Sequence, residues 1–197
     1  PDRQLALQGK DGGRQMEAYT SFAQVYDLFQ DNVPYEEWCE YLAGLLEEYG
    51  VTAGLVLDLG CGSGILSIAA LVLGASAAAA VDIDPKAVDV AYEHAALNGI
   101  GKDRYAVLVG DVLSNGALRE ALGGGYDVVV ANIVADVIIG LAPMVRQFLK
   151  PGGLFLCSGI IDTRAGEVEA ALERNGLAVF ERREQNGWVA LAARAAR

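Results

Sequence analysis

Apolar and polar positions change period along the chain. Over 16–29 the apolar residues recur at helical spacing, with Tyr19, Phe22, Val25, Tyr26 and Phe29 on one face. Asp31-Asn-Val-Pro34 breaks that pattern, and Pro34 suits the first turn of a second helix. Over 35–49 an acidic face (Glu36, Glu37, Glu40, Glu47, Glu48) opposes an apolar one (Trp38, Tyr41, Leu42, Leu45, Leu46), and Gly50 closes the helix. The polar, glycine-containing stretch 1–15 has no such pattern and is expected to be a disordered arm or a tag remnant.

From Leu55 short aliphatic runs alternate with helical patterns. Strands are predicted at 55–59, 77–81, 105–109, 126–131 and 154–158, the last after a Lys150-Pro-Gly-Gly153 turn. Helices are predicted between and after them at 63–73, 85–97, 115–122, 135–149 and 163–174. The runs 177–183 and 188–192 flank Gln185-Asn-Gly187, and Asn-Gly between two strand-like runs is a strong hairpin signal. Regular alternation of this kind predicts an α/β fold: a seven-stranded, mostly parallel sheet with helices on both faces and a C-terminal antiparallel hairpin. Ligands of such sheets sit at the carboxyl ends of the strands.

Composition narrows the picture. The chain has 197 residues, which suits one domain with a small appendage, and 53% are apolar, which suits a large core. No uninterrupted apolar run reaches the length of a membrane span, so no membrane partner is expected. The net charge of −11 argues against direct contact with a nucleic-acid backbone and fits a basic protein or a small molecule as partner. Cys39, Cys61 and Cys157 form no CxxC pair and read as reduced thiols of a cytoplasmic protein. With His94 the single histidine, no metal site is expected.

The candidate chemistry gathers around Leu55-Val-Leu-Asp-Leu-Gly-Cys-Gly-Ser-Gly64. A strand leads into Gly60, Gly62 and Gly64 and then into a helix, the arrangement that brings a ligand close to bare backbone. A dinucleotide fingerprint needs a third spaced glycine where Ile65 stands, which disfavours a nicotinamide dehydrogenase. Asp58 lies in the strand, and Asp82 ends the second strand 22 residues past Gly60, placed to accept both hydroxyl protons of a ribose. Asp84 precedes Pro85 and reads as a helix cap. Asp111 ends the third strand and can accept from an exocyclic amine; capping is its alternative role. Asn132 ends the fourth strand beside the glycine turn, where an amide can both donate and accept.

Asp58-Leu-Gly-Cys-Gly-Ser-Gly64, Val81-Asp-Ile-Asp-Pro85, Gly110-Asp111 and Ala131-Asn132-Ile133 resemble the ordered motifs of class I S-adenosylmethionine-dependent methyltransferases. Asn-Ile-Val-Ala-Asp136, Leu-Ala-Pro143, Leu-Lys-Pro-Gly-Gly153, Ser-Gly-Ile160 and Gly-Trp-Val-Ala-Leu191 resemble the catalytic domain of PrmA-type ribosomal protein (lysine) methyltransferases. The resemblance implies a Rossmann-like catalytic domain over 51–197 and S-adenosyl-L-methionine as cofactor. It implies Asp58, Gly60, Cys61, Gly62, Asp82, Ile83, Asp111, Val112 and Asn132 as its contacts, with Asn132 also catalytic. Enzymes of that type carry a separate N-terminal recognition domain and a Gly-Thr-Gly-x-His-x-Thr-like loop, and nothing before Leu55 matches either. Residues 19–27 and 34–38 instead resemble the N-terminal helices of small stand-alone methyltransferases, which implies a helical lid over 16–50 with Tyr19 and Tyr26 covering the cofactor.

The reaction implied is in-line transfer of a sulfonium methyl to an amine, for which the protein mainly positions the acceptor. The acceptor is expected to be a basic protein such as a ribosomal one; a small metabolite is the alternative, and a binding module without turnover a further one. His94 reads as a partly exposed helix residue, Cys61 as a source of main-chain contacts rather than thiol chemistry, and Trp188 as core filling in the hairpin.

Overall fold

β1 (Leu55–Leu59) is the first strand and an interior one in the computed structural model, which describes residues 53–195. The elements that follow are α1 (Ile65–Val72), β2 (Ala77–Asp82), α2 (Pro85–Leu97), β3 (Tyr105–Val109), α3 (Gly116–Leu122), β4 (Tyr126–Asn132) and α4 (Ala135–Phe148). β5 (Leu149–Ile161), a 3₁₀ turn (Asp162–Arg164), α5 (Ala165–Arg174), β6 (Leu177–Gln185) and β7 (Trp188–Ala195) complete the chain. The seven strands form one sheet in the order β3-β2-β1-β4-β5-β7-β6, with β7 antiparallel to both of its neighbours. The arm expected over 1–15 and the lid expected over 16–50, with Tyr19 and Tyr26, lie outside the described residues.

Strand periodicity decides which helix covers which side chain. Leu57, Leu59, Val129, Ala131 and Phe155 pack with α3, α4 and α5 on one face. Val56, Val128, Val130, Leu154 and Leu156 pack with α1 and α2 on the other. A fully buried leucine such as Leu57 stabilises the fold by about 1.5–3 kcal/mol. Asp58 shares the parity of Val56 and therefore lies on the α1 side.

Several expected elements have the predicted bounds, notably 55–59, 85–97 and 105–109. α1 starts later than expected, at Ile65, because Gly64 has φ of 78° and stands outside the helix as its cap. The hairpin turn forms at Asn186-Gly187, whose φ values of 52° and 80° give the twist of the flanking strands. Two expectations fail. Lys150-Pro-Gly-Gly153 does not precede β5 but lies inside it: Leu149 pairs with Tyr126 and Leu154 with Val128, so the four residues form an excursion between two paired segments. Trp188 does not fill the core; it is half exposed, because Val189 and Leu191 take the buried parity of β7.

Asp84 caps α2, accepting from the Lys86 N–H at 2.9 Å ahead of Pro85. Asp84→Ala is expected to lower the free energy of unfolding by about 1 kcal/mol, read from the urea midpoint at unchanged slope.

Candidate functional site

The sheet changes winding direction between β1 and β4, and the crevice at their carboxyl ends is where α/β sheets bind ligands. Three strand ends border it: β2 with Asp82, β3 with Gly110-Asp111, and β4 with Asn132. The register holds them in one row: Asp82 pairs with Val109, and the pairings of Leu59 with Val81 and of Asp58 with Val130 bring Asp82 and Asn132 level with each other across β1. The glycine turn sits between them.

Each glycine of that turn answers a different requirement. A Cβ on Gly60 would lie 2.6 Å from Cγ2 of Ile133, so the turn packs directly on the loop after β4. A Cβ on Gly64 would meet the Tyr105 hydroxyl at 2.7 Å and the Ala91 Cβ at 2.9 Å. A Cβ on Gly62 would meet nothing within 4 Å, so this position faces open space. The main-chain amides of the turn are largely committed elsewhere: Gly60 and Cys61 donate to the Val81 carbonyl at 2.8 and 3.1 Å. Gly62 donates to Oδ2 of Asp82 at 2.8 Å, and Gly64 to the Cys61 carbonyl at 2.8 Å. The turn is thereby tied to the end of β2, and Cys61 has both its N–H and its carbonyl engaged. Its thiol is pushed up to about 12 by burial and by the neighbouring Asp58 and Asp82, so it stays protonated at neutral pH.

Asp82 is held at both oxygens, Oδ2 by Gly62 and Oδ1 by the Asp84 N–H at 2.9 Å. Each carboxylate oxygen retains a further acceptor site, a spacing that suits two adjacent hydroxyls. Ile83 follows it with its side chain exposed, and Val109 is exposed on the neighbouring strand, so two apolar side chains flank the carboxylate.

Asp111 is exposed and its carboxylate serves its own turn, accepting from Leu113 N–H at 2.9 Å and from the Ser114 hydroxyl at 2.7 Å. The Ser114 hydrogen bond foremost, then that from Leu113, holds its carboxyl below the usual range, so it is an anion at the mouth. Asp111 does not cap α3, whose first turn is capped by Asn115 accepting from the Leu118 N–H at 3.0 Å, and its two oxygens keep acceptor capacity beyond the turn bonds. Val112 turns its side chain into the core, and its carbonyl accepts from Arg119, so the side chain is not at the mouth. Asn132 is exposed at the end of β4, and a Cβ on Gly159 would lie 2.9 Å from its Oδ1. Gly159 thus gives Asn132 its room.

Asp58 is the buried carboxylate of the site. Its Oδ2 accepts from the hydroxyl of Ser67 at 2.7 Å and from the Ser67 N–H at 3.2 Å, inside the first turn of α1. Its Oδ1 has no hydrogen-bond partner. Burial raises its carboxyl to about 6 against the pull of the Ser67 bonds, and Asp82 adds to the rise. Asp58 therefore stands behind the turn, bonded to a helix start. Ser67, Ile133 and Gly159 are site residues that sequence reasoning missed. A signal for Ser67 exists: it is the third residue of α1, where a hydroxyl and an N–H both point back at the strand before the turn.

His94 is partly exposed on α2, its Nδ1 lying 3.0 Å from the Ser63 carbonyl. Among the described residues no group of three metal-binding side chains occurs, and no helix is long and apolar enough to cross a membrane. The arrangement supplies an anionic acceptor pair between apolar side chains, an open glycine and an exposed amide. These features suit a nucleoside with an extended polar tail.

The family model described as ribosomal protein L11 methyltransferase (PrmA) matches residues 42–196. A ribosomal protein L11 methyltransferase of Pelotomaculum thermopropionicum is 49% identical over 150 residues, covering 76% of this chain and 46% of that protein. One from Desulfitobacterium hafniense is 49% identical over 139 residues, covering 71% and 42%. A crystal structure of a ribosomal protein L11 methylase from Lactobacillus delbrueckii subsp. bulgaricus superposes with a TM-score of 0.70 at 34% identity, covering 79% of this chain and 78% of that one. The chain spans about half the length of the curated relatives it matches.

Proposed function

This chain belongs to the ribosomal protein L11 methyltransferase (PrmA) family, and from that premise we propose that it transfers a methyl group from S-adenosyl-L-methionine to an amine of a ribosomal protein in the cytoplasm. The observation that supports the donor assignment is the row of strand ends around the glycine turn, with Asp82 presenting two oriented oxygens beside the open Gly62. The residues fit the donor: Asp82 for the ribose hydroxyls, Ile83 and Val109 for the faces of the base, and Asp111 for its exocyclic amine. When bound, the donor supplies a methyl group on a positively charged sulfur, a leaving group that needs no further activation.

The chain's own residues then have a limited task. Asn132, beside the turn and held off by Gly159, accepts a hydrogen bond from the incoming amine and aims its lone pair. Main-chain carbonyls of the loop after β4 share that role. An amine reacts only when neutral, and its removal from water at the mouth favours the neutral form. The protein acceptor follows from the family, and the net charge of −11 complements a basic ribosomal protein.

The test is transfer of labelled methyl from the donor to purified ribosomal protein L11 and, in parallel, to fractionated cell extract. Label in the ribosomal protein supports the reading; label confined to small molecules overturns the acceptor. Asn132→Ala is expected to reduce turnover about 100-fold with donor affinity within about threefold, the pattern of a group that acts on the acceptor. Unchanged turnover would leave Asn132 as a turn residue.

A further inference from the structure

Asp58 combines properties that no structural role requires together. It is removed from water at 1% exposure, one of its oxygens is bonded twice by Ser67, and the other has no partner. The groups that face it are Ser67 of α1, Asp82 at the end of β2, Cys61 of the turn and Tyr105 of β3. Val130 of β4 pairs beside it and carries no charge. The ionisable members of this set are all acids, and no cation of the described residues is paired with Asp58. A buried carboxylate lacking a counter-charge avoids ionisation by keeping its proton.

The same geometry decides what a bound cation does. A ligand that covers a half-exposed acid has two opposed effects, because its charge favours ionisation while its bulk removes water. Asp58 has already lost its water, so only the charge remains to act. We propose that Asp58 is a specificity-determining group, which in mildly acidic solution holds a proton in the free protein and releases it to solvent when a positively charged ligand occupies the glycine turn. The site thereby distinguishes the sulfonium donor from its neutral thioether product. This rests on the donor reading given above. The balance is simple: the Asp58 carboxylic acid and the cation give a carboxylate–cation pair and one proton in bulk water, with no other bond changed.

The position of Asp58 in the undisturbed protein, raised to about 6, sets the range in which the exchange is measurable. Calorimetric titration of the full chain at about pH 5.5, in buffers of low and high ionisation enthalpy (cacodylate and histidine), counts the protons directly. With S-adenosyl-L-methionine the release is expected to reach about 0.7 proton, because roughly a quarter of Asp58 is already ionised at that pH. The donor is expected to bind roughly tenfold more weakly at about pH 5 than at about pH 7, and S-adenosyl-L-homocysteine to vary less than about threefold over that range. Asp58→Asn retains the acceptor for Ser67 and is expected to abolish both the release and the pH dependence. Heats independent of buffer overturn the proposal, as does an equal release from Asp58→Asn. Equal pH dependence of donor and product in the unaltered chain overturns it without need of the variant. Absence of any binding heat with either ligand instead overturns the donor reading itself, and the proposal with it.

Discussion

Asp82→Ala is expected to weaken binding of S-adenosyl-L-methionine about 100-fold. Each charge-assisted hydrogen bond from a ligand hydroxyl contributes about 1.5–3 kcal/mol, and Asp82 offers one oxygen to each of two hydroxyls. The loss extends beyond the ligand. Oδ2 also holds the Gly62 N–H at 2.8 Å and Oδ1 the Asp84 N–H at 2.9 Å, so alanine releases the turn as well as the hydroxyls. The lower end of that sum, about 3 kcal/mol, corresponds to a factor of about 100 in the dissociation constant. Calorimetric titration reads it, with Asp82→Asn expected to fall between the two because it retains an acceptor on one side only. Wild-type affinity in Asp82→Ala would remove Asp82 from the ligand site.

Gly64→Ala is expected to cost about 3 kcal/mol of stability, the largest loss from adding a single methyl group at this turn. Two separate costs coincide. The φ of 78° lies where a Cβ is opposed by the backbone itself, at about 1–2 kcal/mol. The added carbon would also stand 2.9 Å from the Ala91 Cβ and 3.3 Å from its Cα, and a backbone atom inside α2 cannot turn aside as a long side chain does. Gly62→Ala makes the control: its φ is also positive, at 51°, but nothing lies within 4 Å, so it is expected to carry the backbone cost alone. Urea unfolding of the two variants separates crowding from backbone strain. Equal losses would show that Gly64 is not crowded.

The sequence carried the fold well, because a doubly covered parallel sheet writes itself as aliphatic runs between helical patterns. Leu55–Leu59, Pro85–Leu97 and Tyr105–Val109 were legible to the residue. What escaped was decided by contacts distant in sequence. Pro151-Gly152-Gly153 reads locally as a turn, and only the pairing of Leu149 with Tyr126 places it within a strand. Trp188 reads as core by its hydrophobicity, yet parity along β7 gives the buried face to Val189 and Leu191. At the site, the carboxylates and Asn132 could be placed at strand ends by counting. Which partners hold them could not: the Ser67 bond to Asp58 depends on how α1 settles on β1, and the commitment of the turn's amides to Val81 depends on β2. The side chain of Val112 lies in the core with Leu118, so any contact it makes at the mouth falls to its main chain, which residue type alone does not reveal.

The switch of winding direction that creates the crevice has a cost during synthesis. β1 acquires β2 on one side soon after it is made, but its other side waits for β4, and the hydrogen bond from the Leu55 N–H to the Asp127 carboxylate that marks their junction joins residues 72 apart. At about 5–20 residues per second this leaves one edge of an aliphatic strand without a partner for roughly 4–15 s on the ribosome. An open hydrophobic edge is a template for wrong pairing with other nascent chains, and an acid within the strand discourages it. Val56-Leu57-Asp58, the segment that β4 finally covers, carries such an acid at its last position. The same carboxylate that lies behind the ligand site thus guards the strand until its proper neighbour arrives.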